Sequence, residues 1–313
     1  MFKINENEKN FLSNVDELIN TYIQTLPPQY LNFIQLKNGN KLRPLLVYYG
    51  FTLHSSKINK RLINIAYSIE LIHKASTIID DIIDEDIKRR GFDACHVQHS
   101  INEAIILSIH MLGEAFSKLY DEIHINNIIS MTIKNMCIGT LKELNISTYT
   151  NSDEITEIIN LQTTGIIKNC LLIGFTLNTT DIDYNDIEIL GSKLGYLFQL
   201  LNDCESIFNL EFINANKGNY NFDYNKIRKN ICITYLQSYL NRREIETMHT
   251  LTPSSISKLF KKYKIKDHIL SEISYIKKDI YSILDELSHR YNIYRLKCCI
   301  DYTIAVAEKR ANI

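Results

Sequence analysis

The sequence predicts an all-α fold, and three observations lead to that prediction. The chain contains few residues that break regular structure, with Gly 10 and Pro 4 among 313 residues, which is about a third of the average usage. Long periodic apolar runs separate these breakers. The connections between the runs are short and polar, as in Asn38-Gly39-Asn40. A β-sandwich or an α/β fold would need glycine and proline at its many turns.

The first predicted helices follow from their patterns in order along the chain. Glu6–Gln24 is amphipathic and ends before Pro27-Pro28, because proline cannot continue a helix. Lys41–Leu53 tolerates Pro44 in its first turn. Lys60–Asp84 is apolar on most sides, which indicates a central buried helix.

The rest of the chain continues this pattern. The predicted segments are a polar loop from Glu85 to about Gln98, helices near Ile101–Tyr120 and Ile125–Leu144, a loop at Asn145–Asp153, helices Glu154–Leu177 and Asp186–Phe208, an Asn-rich loop at Asn209–Tyr224, and C-terminal helices from Lys226 to the end. No fixed repeat and no linker of different composition divides the chain, so residues 1–313 are predicted to form a single domain.

Charge and composition argue against several classes of protein. Lys+Arg 35 against Asp+Glu 36 leaves a net charge of -1, so no basic field attracts nucleic acid. The longest apolar stretches, such as Leu45–Leu53, are shorter than the roughly 18 residues of a membrane span. The N-terminus lacks the apolar core of a secretory signal. The odd number of cysteines, Cys 7, indicates reduced thiols. We therefore expect a cytoplasmic protein with no nucleic-acid partner and no membrane span.

Three acids lie at the C-terminal end of the predicted buried helix. Asp80 and Asp84 are four residues apart and share one helix face with like charge, next to Asp81. Carboxylates at a helix C-terminus oppose the helix dipole, so a structural role explains them poorly. A bound Mg²⁺ would relieve the repulsion, because this ion takes carboxylate oxygens together with substrate phosphates. A solvated helix end running into an acidic loop is the alternative.

Two arginines follow the acids closely. Arg89 and Arg90 lie in Lys88-Arg89-Arg90-Gly91, and the planar guanidinium group suits bidentate binding of phosphate. Acids that need a metal, followed by cations that need an anion, predict a metal–diphosphate site. Simple neutralisation of the acids by the arginines is the alternative.

These motifs resemble those of the trans-isoprenyl diphosphate synthases. The resemblance covers Glu70–Ser76, the Asp80–Asp84 run with Lys88–Gly91, the segment Asn38–Pro44 and the segment Leu194–Asp203, in the family's order. It implies a single-domain helical bundle of the isoprenoid synthase type with a central apolar cavity.

The resemblance also implies a reaction and its residues. In that family three Mg²⁺ ions bind an allylic prenyl diphosphate, which ionises and is attacked by isopentenyl diphosphate. By position, the metal ligands would be Asp80, Asp81, Asp84, Asn202, Asp203 and Ser206, and the catalytic group would comprise the first three acids and Arg89. The substrate-binding residues would be Lys41, Arg43, His73, Arg89, Arg90, Gln199 and Arg228. The expected product is a geranylgeranyl-class or longer diphosphate, and the expected assembly is a homodimer.

Several positions depart from the family's pattern. Asn40 replaces the lysine of the Gly-Lys pair, and Thr163-Thr164 replaces a Lys-Thr pair. Arg228 stands at a later lysine position. The second acidic motif is reduced to Asn202-Asp203-Cys204-Glu205-Ser206. The chain therefore has fewer of the residues that bind phosphate and metal ions in that family.

The departures leave other functions open. Asn202, Asp203 and Ser206 resemble the Asn/Ser/Glu metal motif of class I terpene synthases, although the family's Glu would fall at Leu210. A terpene synthase needs no isopentenyl diphosphate site, but Arg43, His73 and Arg90 persist. A peptide prenyltransferase and a non-catalytic subunit of a heteromeric synthase are further alternatives.

The resemblance also implies that product length depends on the residues one turn before Asp80, because in that fold the growing chain runs beside this helix. Ser76 and Ala75 are small and would leave the path of the growing chain open beyond fifteen carbons, unless Met111 or Phe116 closes it from the facing helix.

Overall fold

The computed structural model describes residues 4–30, 39, 41–55, 57–146, 151–177, 184–209, 215 and 230–313. Its helices are α1 Glu6–Gln24, α2 Leu42–Thr52, α3 Lys60–Ile83, α4 Cys95–Gln98, α5 Ile101–Ser117, α6 Ile123–Leu144, α7 Ser152–Ile159, α8 Gly165–Thr176, α9 Asn185–Phe208, α10 Ile231–Gln237, α11 Arg242–Thr247, α12 Pro253–Lys262, α13 Ile265–Ser288 and α14 Tyr294–Ala311. The prediction of an all-α fold is confirmed. The predicted Asn-rich loop at Asn209–Tyr224 lies almost wholly outside the described residues.

Asparagine side chains fix the starts of several helices. They accept backbone N–H hydrogen bonds at the N-termini of α1, α3, α7, α10 and α11, from Asn5, Asn59, Asn151, Asn230 and Asn241. An N-cap of this kind stabilises a helix by about 1 kcal/mol. Asparagine disfavours helix interiors, so its use at caps reconciles an Asn-rich chain with a helical fold.

Two glycines allow α2 and α8 to cross at close range. A methyl group on Gly50 would lie 2.2 Å from the carbonyl oxygen of Leu171, and one on Gly174 would lie 2.0 Å from the carbonyl oxygen of Val47. Both distances are far below van der Waals contact, so only hydrogen atoms fit between the two backbones. This crossing fixes α2, and with it Arg43 in its first turn, against the central helices.

Helix α9 approaches α8 in the same way. A methyl group on Gly195 would lie 2.6 Å from the Cα of Thr164, and one on Gly191 would lie 2.7 Å from the Cα of Lys168. Thr164 ends a single π-helical turn, Asn160–Thr164, which joins α7 to α8. Such turns are frequent at functional sites, and this one lies at the position of the family's Lys-Thr pair.

A small hairpin interrupts the region predicted to be a polar loop. Strands β1 (Lys88–Arg89) and β2 (Phe92–Asp93) pair antiparallel. The connecting residues Arg90 and Gly91 both have positive φ, 55° and 84°, as a two-residue type I′ turn requires. The loop prediction was therefore wrong here, because strands this short carry no periodic signal and are specified by their turn.

One helical stretch passes a simple test for membrane spans. Ser152–Thr176 is long and apolar enough by length and composition alone, but 56% of its apolar window is buried inside the protein. The segment packs against α2, α6 and α9, and core helices of soluble proteins pass the same test. The absence of a membrane span therefore stays a prediction. The cysteines are all free thiols, as expected.

Candidate active site

The first acidic motif lies on two faces of the C-terminal end of α3. Asp80 is exposed and Asp84 is half-buried, and their spacing places both on one face. Asp81 is buried, with 1% of its surface exposed, and follows the face of Thr77 and Lys74. The three carboxylates therefore do not point the same way.

Asp81 is paired with the hairpin. Arg89 Nη2 lies 2.7 Å from Asp81 Oδ1 and 3.2 Å from the carbonyl oxygen of Thr77. Burial raises the pKa of Asp81 to about 7, although the charge of Arg89 acts in the opposite direction. Neither carboxylate oxygen of Asp81 has a hydrogen-bond partner of good geometry among the described residues. Arg89 offsets part of the charge of this buried carboxylate, and a bound cation could use the oxygen lone pairs that the ion pair leaves available.

The described residues hold no preformed metal cage. No group of three or more His, Cys, Asp or Glu in the described ranges is arranged to hold a metal ion. Mg²⁺ commonly binds through one or two carboxylates and completes its coordination with water and substrate phosphates. The exposed Asp80 and the under-satisfied Asp81 fit this ion and this mode of binding.

A basic pocket lies beside the acids, at the start of α2. Arg43 Nη1 lies 2.8 Å from His73 Nε2. Burial, followed by the nearby charges of Arg43 and Lys74, holds the pKa of His73 well below its usual range, so the ring is neutral and its Nε2 accepts the hydrogen bond. Arg43 Nε is buried and has no hydrogen-bond partner in the described part of the chain. The structure thus places Arg43 beside His73. In the sequence, only the resemblance to the prenyl diphosphate synthases linked these two residues.

Two charged residues of α3 join this pocket, and sequence reasoning missed their roles. Lys74 Nζ lies 3.6 Å from Glu70 Oε1, and both side chains are buried. Lys41 Nζ lies 3.8 Å from the same oxygen and 2.6 Å from Asp16 Oδ1. The sequence did contain an indication of these roles. A helix that is predicted to be buried on most sides carries two charged residues here, and buried charges need partners of opposite charge.

The second acidic motif on α9 is held by hydrogen bonds. Gln199 Nε2 donates to Asp203 Oδ1 over 2.7 Å, and the backbone N–H of Ile231 donates to Asp203 Oδ2 over 2.8 Å. Thr163 Oγ1 donates in turn to Gln199 Oε1 over 2.7 Å. Asp203 is buried and joins α9 to the start of α10. Its role as a metal ligand remains a prediction, and both of its oxygens already accept hydrogen bonds.

The other residues of this motif differ in exposure and contacts. Asn202 is exposed. Ser206 Oγ accepts a hydrogen bond from Asn230 Nδ2 over 2.9 Å and lies 2.9 Å from the carbonyl oxygen of Asp203. Glu205 Oε2 lies 3.1 Å from Arg310 Nε of α14. Asn202 is therefore the member of the predicted trio most open to a ligand.

Arg310 connects the two acidic motifs electrostatically. Burial lowers the pKa of Arg90, and the charge of Arg310 is among the further causes that lower it. Arg310 is paired with Glu205 of the second acidic motif. This motif therefore lies close enough to Arg90, in the hairpin that follows the first acidic motif, for their charges to interact.

An apolar cavity lies between α3, α6 and α8. Its lining residues are Ile69, Ile72, Ile129, Thr132, Ile133, Ile166, Asn169, Cys170 and Ile173, and its volume is about 20 Å³, room for about one water molecule. Asn169 Nδ2 donates to Thr132 Oγ1 over 2.6 Å, which leaves one polar pair in an otherwise apolar lining. Since the described lining comes from α3, α6 and α8, Met111 and Phe116 on α5 do not contribute to it.

The helix periodicity separates Ser76 from Ala75. Ser76 shares a face of α3 with Ile69, Ile72 and Asp80, so it lies between the acids and the cavity. Ala75 lies seven residues after Ser68, whose hydroxyl donates to the carbonyl oxygen of Ala115 on α5. Ala75 therefore faces α5.

Three positions discussed in the sequence analysis lie outside the described residues, namely Asn40, Leu210 and Arg228.

Comparisons with known proteins support the family and the fold. The chain is 25% identical over 208 residues to a short chain isoprenyl diphosphate synthase of Methanocaldococcus jannaschii, and the match covers 63% of each protein. In fold it is similar to a polyprenyl synthase of Caulobacter crescentus solved with calcium and isoprenyl diphosphate, with a TM-score of 0.83, 17% identity and coverage of 96% of this chain and 94% of that one.

It is also similar in fold to a geranylgeranyl pyrophosphate synthase of Corynebacterium glutamicum solved with isoprenyl diphosphate and magnesium, with a TM-score of 0.77, 16% identity and coverage of 99% of both chains. A family model described as polyprenyl synthetase matches residues 27–236, which is more than half of the chain. The chain therefore belongs to the polyprenyl synthetase family.

Proposed function

We propose that the chain is a prenyltransferase that joins an allylic prenyl diphosphate to isopentenyl diphosphate. In this reaction the allylic C–O bond breaks and diphosphate leaves. The double bond of isopentenyl diphosphate then attacks the allylic carbon to form a C–C bond, and a proton is lost from the adduct. Magnesium, when bound, neutralises charge on the departing diphosphate.

The observation that carries this proposal is that the cations near the acids are held by different partners. Arg89 lies against Asp81, at the end of α3 that bears the acids. Arg43 is hydrogen-bonded to His73, and the ends of the Arg90 and Glu70 side chains both lie beside Gly39. A condensation of two diphosphates needs two anion sites, whereas cyclisation of one diphosphate needs only one. Cations held by two different partners, Asp81 for Arg89 and His73 for Arg43, supply positive charge for two diphosphates and support condensation.

The residues divide into roles under this proposal. Asp80, Asp81 and Asp84 would hold magnesium, and Asn202 and Asp203 are proposed to contribute from the facing motif. Arg89 would bind the allylic diphosphate. The neutral ring of His73 would orient Arg43 toward the second diphosphate, because Nε2 accepts its hydrogen bond.

The apolar cavity supports a substrate with a hydrocarbon chain. It begins one turn below Ser76 and is lined mainly by isoleucines. These side chains are flexible compared with aromatic rings, and no aromatic residue lines the described cavity. We infer a geranylgeranyl-class or longer product, for which the isoleucines would have to move apart, because the present volume admits no prenyl chain.

An exposed apolar surface supports the proposed homodimer. It runs along α5 and α6 and includes Ile106, Ile109, Ile123, Leu141 and Leu144, with exposures from 58% to 74%. Large apolar side chains that are more than half exposed on two helices are candidates for an interface. A second copy of the chain would cover both helices at once.

One assay separates this function from the alternatives. The purified chain is incubated with Mg²⁺ and farnesyl or geranylgeranyl diphosphate, with and without isopentenyl diphosphate, and the products are analysed by mass spectrometry. Longer diphosphates that form only with isopentenyl diphosphate support condensation. Hydrocarbons or alcohols formed without it would instead indicate a terpene synthase. Activity that appears only after a partner chain or a peptide acceptor is added would indicate a heteromeric subunit or a peptide prenyltransferase.

A further inference from the structure

Positive charge is concentrated where α12 ends and α13 begins. Between positions 258 and 267 the chain has five lysines and one acid, Asp267, whereas the whole chain has a net charge of -1. The lysines are Lys258, Lys261, Lys262, Lys264 and Lys266. Such a cluster on an amphipathic helix is a candidate for binding an extended anionic surface.

The helix places three of these lysines on its solvent side. Lys258, Lys261 and Lys262 are three and four residues apart, so they share one face, and all three are exposed. Ile256 and Phe260 lie two residues before and after Lys258 and are buried, with 3% and 4% of their surface exposed. Two residues correspond to a rotation of about 200° around a helix. The lysines are therefore directed away from the core.

The turn between α12 and α13 extends this surface. Lys264 has a positive φ of 52°, and its side chain is exposed. Lys266 is held in place instead, because its Nζ donates to the carbonyl oxygen of Asn312 over 2.8 Å and lies 5.4 Å from the centroid of the Phe208 ring. The exposed set, Lys258, Lys261, Lys262 and Lys264, is called the basic face below.

Nearby acids oppose the charge of the basic face only in part. Glu244 of α11 acts on the charge of Lys262, and Asp267 and Glu272 line a groove beside Lys264. None of the four lysines forms an ion pair with a residue in the described part of the chain. Their charge is therefore available to an external anion.

The fold restricts the kind of partner that this face fits. A protein that binds a basic amphipathic helix in a groove contacts the apolar side of the helix, but that side of α12 is packed in the core. Single-stranded nucleic acid is bound through aromatic rings that stack on its bases. The ring of Tyr263, beside the lysines, is stacked on Tyr239 with 5.3 Å between centroids, and Lys262 Nζ lies 4.6 Å from the Tyr263 centroid. A surface of anionic lipid headgroups requires neither feature, since a cluster of lysines is enough.

We propose that the basic face binds the surface of a bilayer that contains anionic phospholipids. The lysines would contact the headgroups, and α12 would rest on the membrane without entering it, because its apolar side stays in the core. Tyr239, which is 51% exposed beside Tyr263, would contact the headgroup region, where tyrosine is favoured. The inference goes beyond the proposed function and does not depend on it, although a long prenyl product would dissolve in the same bilayer.

Co-sedimentation with vesicles tests the proposal. The wild type should sediment with vesicles of equal parts phosphatidylcholine and phosphatidylserine, and should stay in solution with vesicles of phosphatidylcholine alone. The triple variant Lys258→Gln/Lys261→Gln/Lys264→Gln should bind the mixed vesicles about 100-fold more weakly, since each lysine near such a surface contributes about fivefold. Lys262 is left unchanged because its Nζ contacts the Tyr263 hydroxyl.

Two controls separate the position of the charge from its amount and from the fold. The variant Lys9→Gln/Lys57→Gln/Lys60→Gln loses three exposed lysines elsewhere and should bind the mixed vesicles like the wild type. Arginine at the three substituted positions of the basic face keeps the charge and should also preserve binding. The wild type should be released at about 1 M salt, where charges are screened beyond about 3 Å. Melting temperatures should agree among all variants, because every substituted side chain is exposed.

Several results would overturn the proposal. They are equal binding by the wild type and the glutamine variant of the basic face, an equal loss in the control variant, sedimentation with pure phosphatidylcholine, and binding that salt does not weaken. A wild type that binds a single-stranded RNA or an acidic peptide, but not the mixed vesicles, would assign the face to another partner. The measurement needs no substrate, so it stands whether or not the chain catalyses condensation.

Discussion

The crossing of α2 and α8 predicts a large effect for one methyl group. In Gly174→Ala the new Cβ would lie 2.0 Å from the carbonyl oxygen of Val47 and 2.9 Å from the backbone nitrogen of Phe51. Backbone atoms cannot rotate away, so the two helices must separate by about 1 Å or more to reach the shortest contact that real Cβ atoms show. Arg43, in the first turn of α2, would move relative to His73.

The expected loss of stability follows from two opposing effects. Overpacking of a tight core costs about 1–3 kcal/mol or more, and the higher helix propensity of alanine returns about 1 kcal/mol. The severity of the clash favours the upper half of the resulting range, so we expect a net loss of about 1–2 kcal/mol, which lowers the melting temperature by about 2–8 °C in a large domain.

The matched control is Gly113→Ala, in the middle of α5, where no atom lies within 4 Å of the new methyl group. This variant gains helix propensity without a clash, so its melting temperature should rise slightly. Thermal unfolding followed by circular dichroism measures both variants. If Gly174→Ala melts at or above the wild-type temperature while Gly113→Ala is stabilised, the close crossing of α2 and α8 is incorrect.

Three further predictions concern the site and the surface. Asp81→Asn should lower turnover by more than about 100-fold, since it removes a proposed metal ligand, and folded protein with wild-type activity would exclude that role. Ser76→Phe should shorten the product by at least one isoprene unit as judged by mass spectrometry, whereas Ala75→Phe, on the α5 face, should shorten it less; the reverse order would contradict the assignment of faces. Ile106→Lys should shift the chain toward a monomer in size-exclusion chromatography with light scattering, and an unchanged dimer would place the interface elsewhere.

The helices and the first acidic motif were accessible from the sequence because they depend on local patterns. Apolar periodicity marked the long helices, and the spacing of Asp80 and Asp84 placed them on one face. The hairpin at Arg90-Gly91 escaped prediction because two-residue strands have no period. The π-helical turn at Asn160–Thr164 was missed for a similar reason, since one extra residue in a turn leaves the surrounding apolar pattern intact.

The remaining features depend on distant segments that meet only in the folded chain. Asp203 accepts a hydrogen bond from the backbone of Ile231, which is 28 residues away. In the sequence, Lys74 is one more charged residue of a helix. Only the folded chain shows that it lies near Gly39 and Arg90. The polar pair of Thr132 and Asn169 joins two helices whose relative position no sequence pattern specifies.

The amide caps have a consequence for the response to acid. A carboxylate at an N-cap loses its acceptor strength when it is protonated near its ordinary pKa of about 4, whereas the amide oxygen of asparagine does not titrate. The starts of α1, α3 and α7 should therefore hold in mildly acidic solution. Acid-induced loosening should begin instead at ion pairs whose carboxylate has a lowered pKa in the fold, such as Glu122 with Arg61, because stability is lost as such a group takes up its proton. Hydrogen exchange at low pH would then report loosening around this pair before the amide-capped helix ends fray.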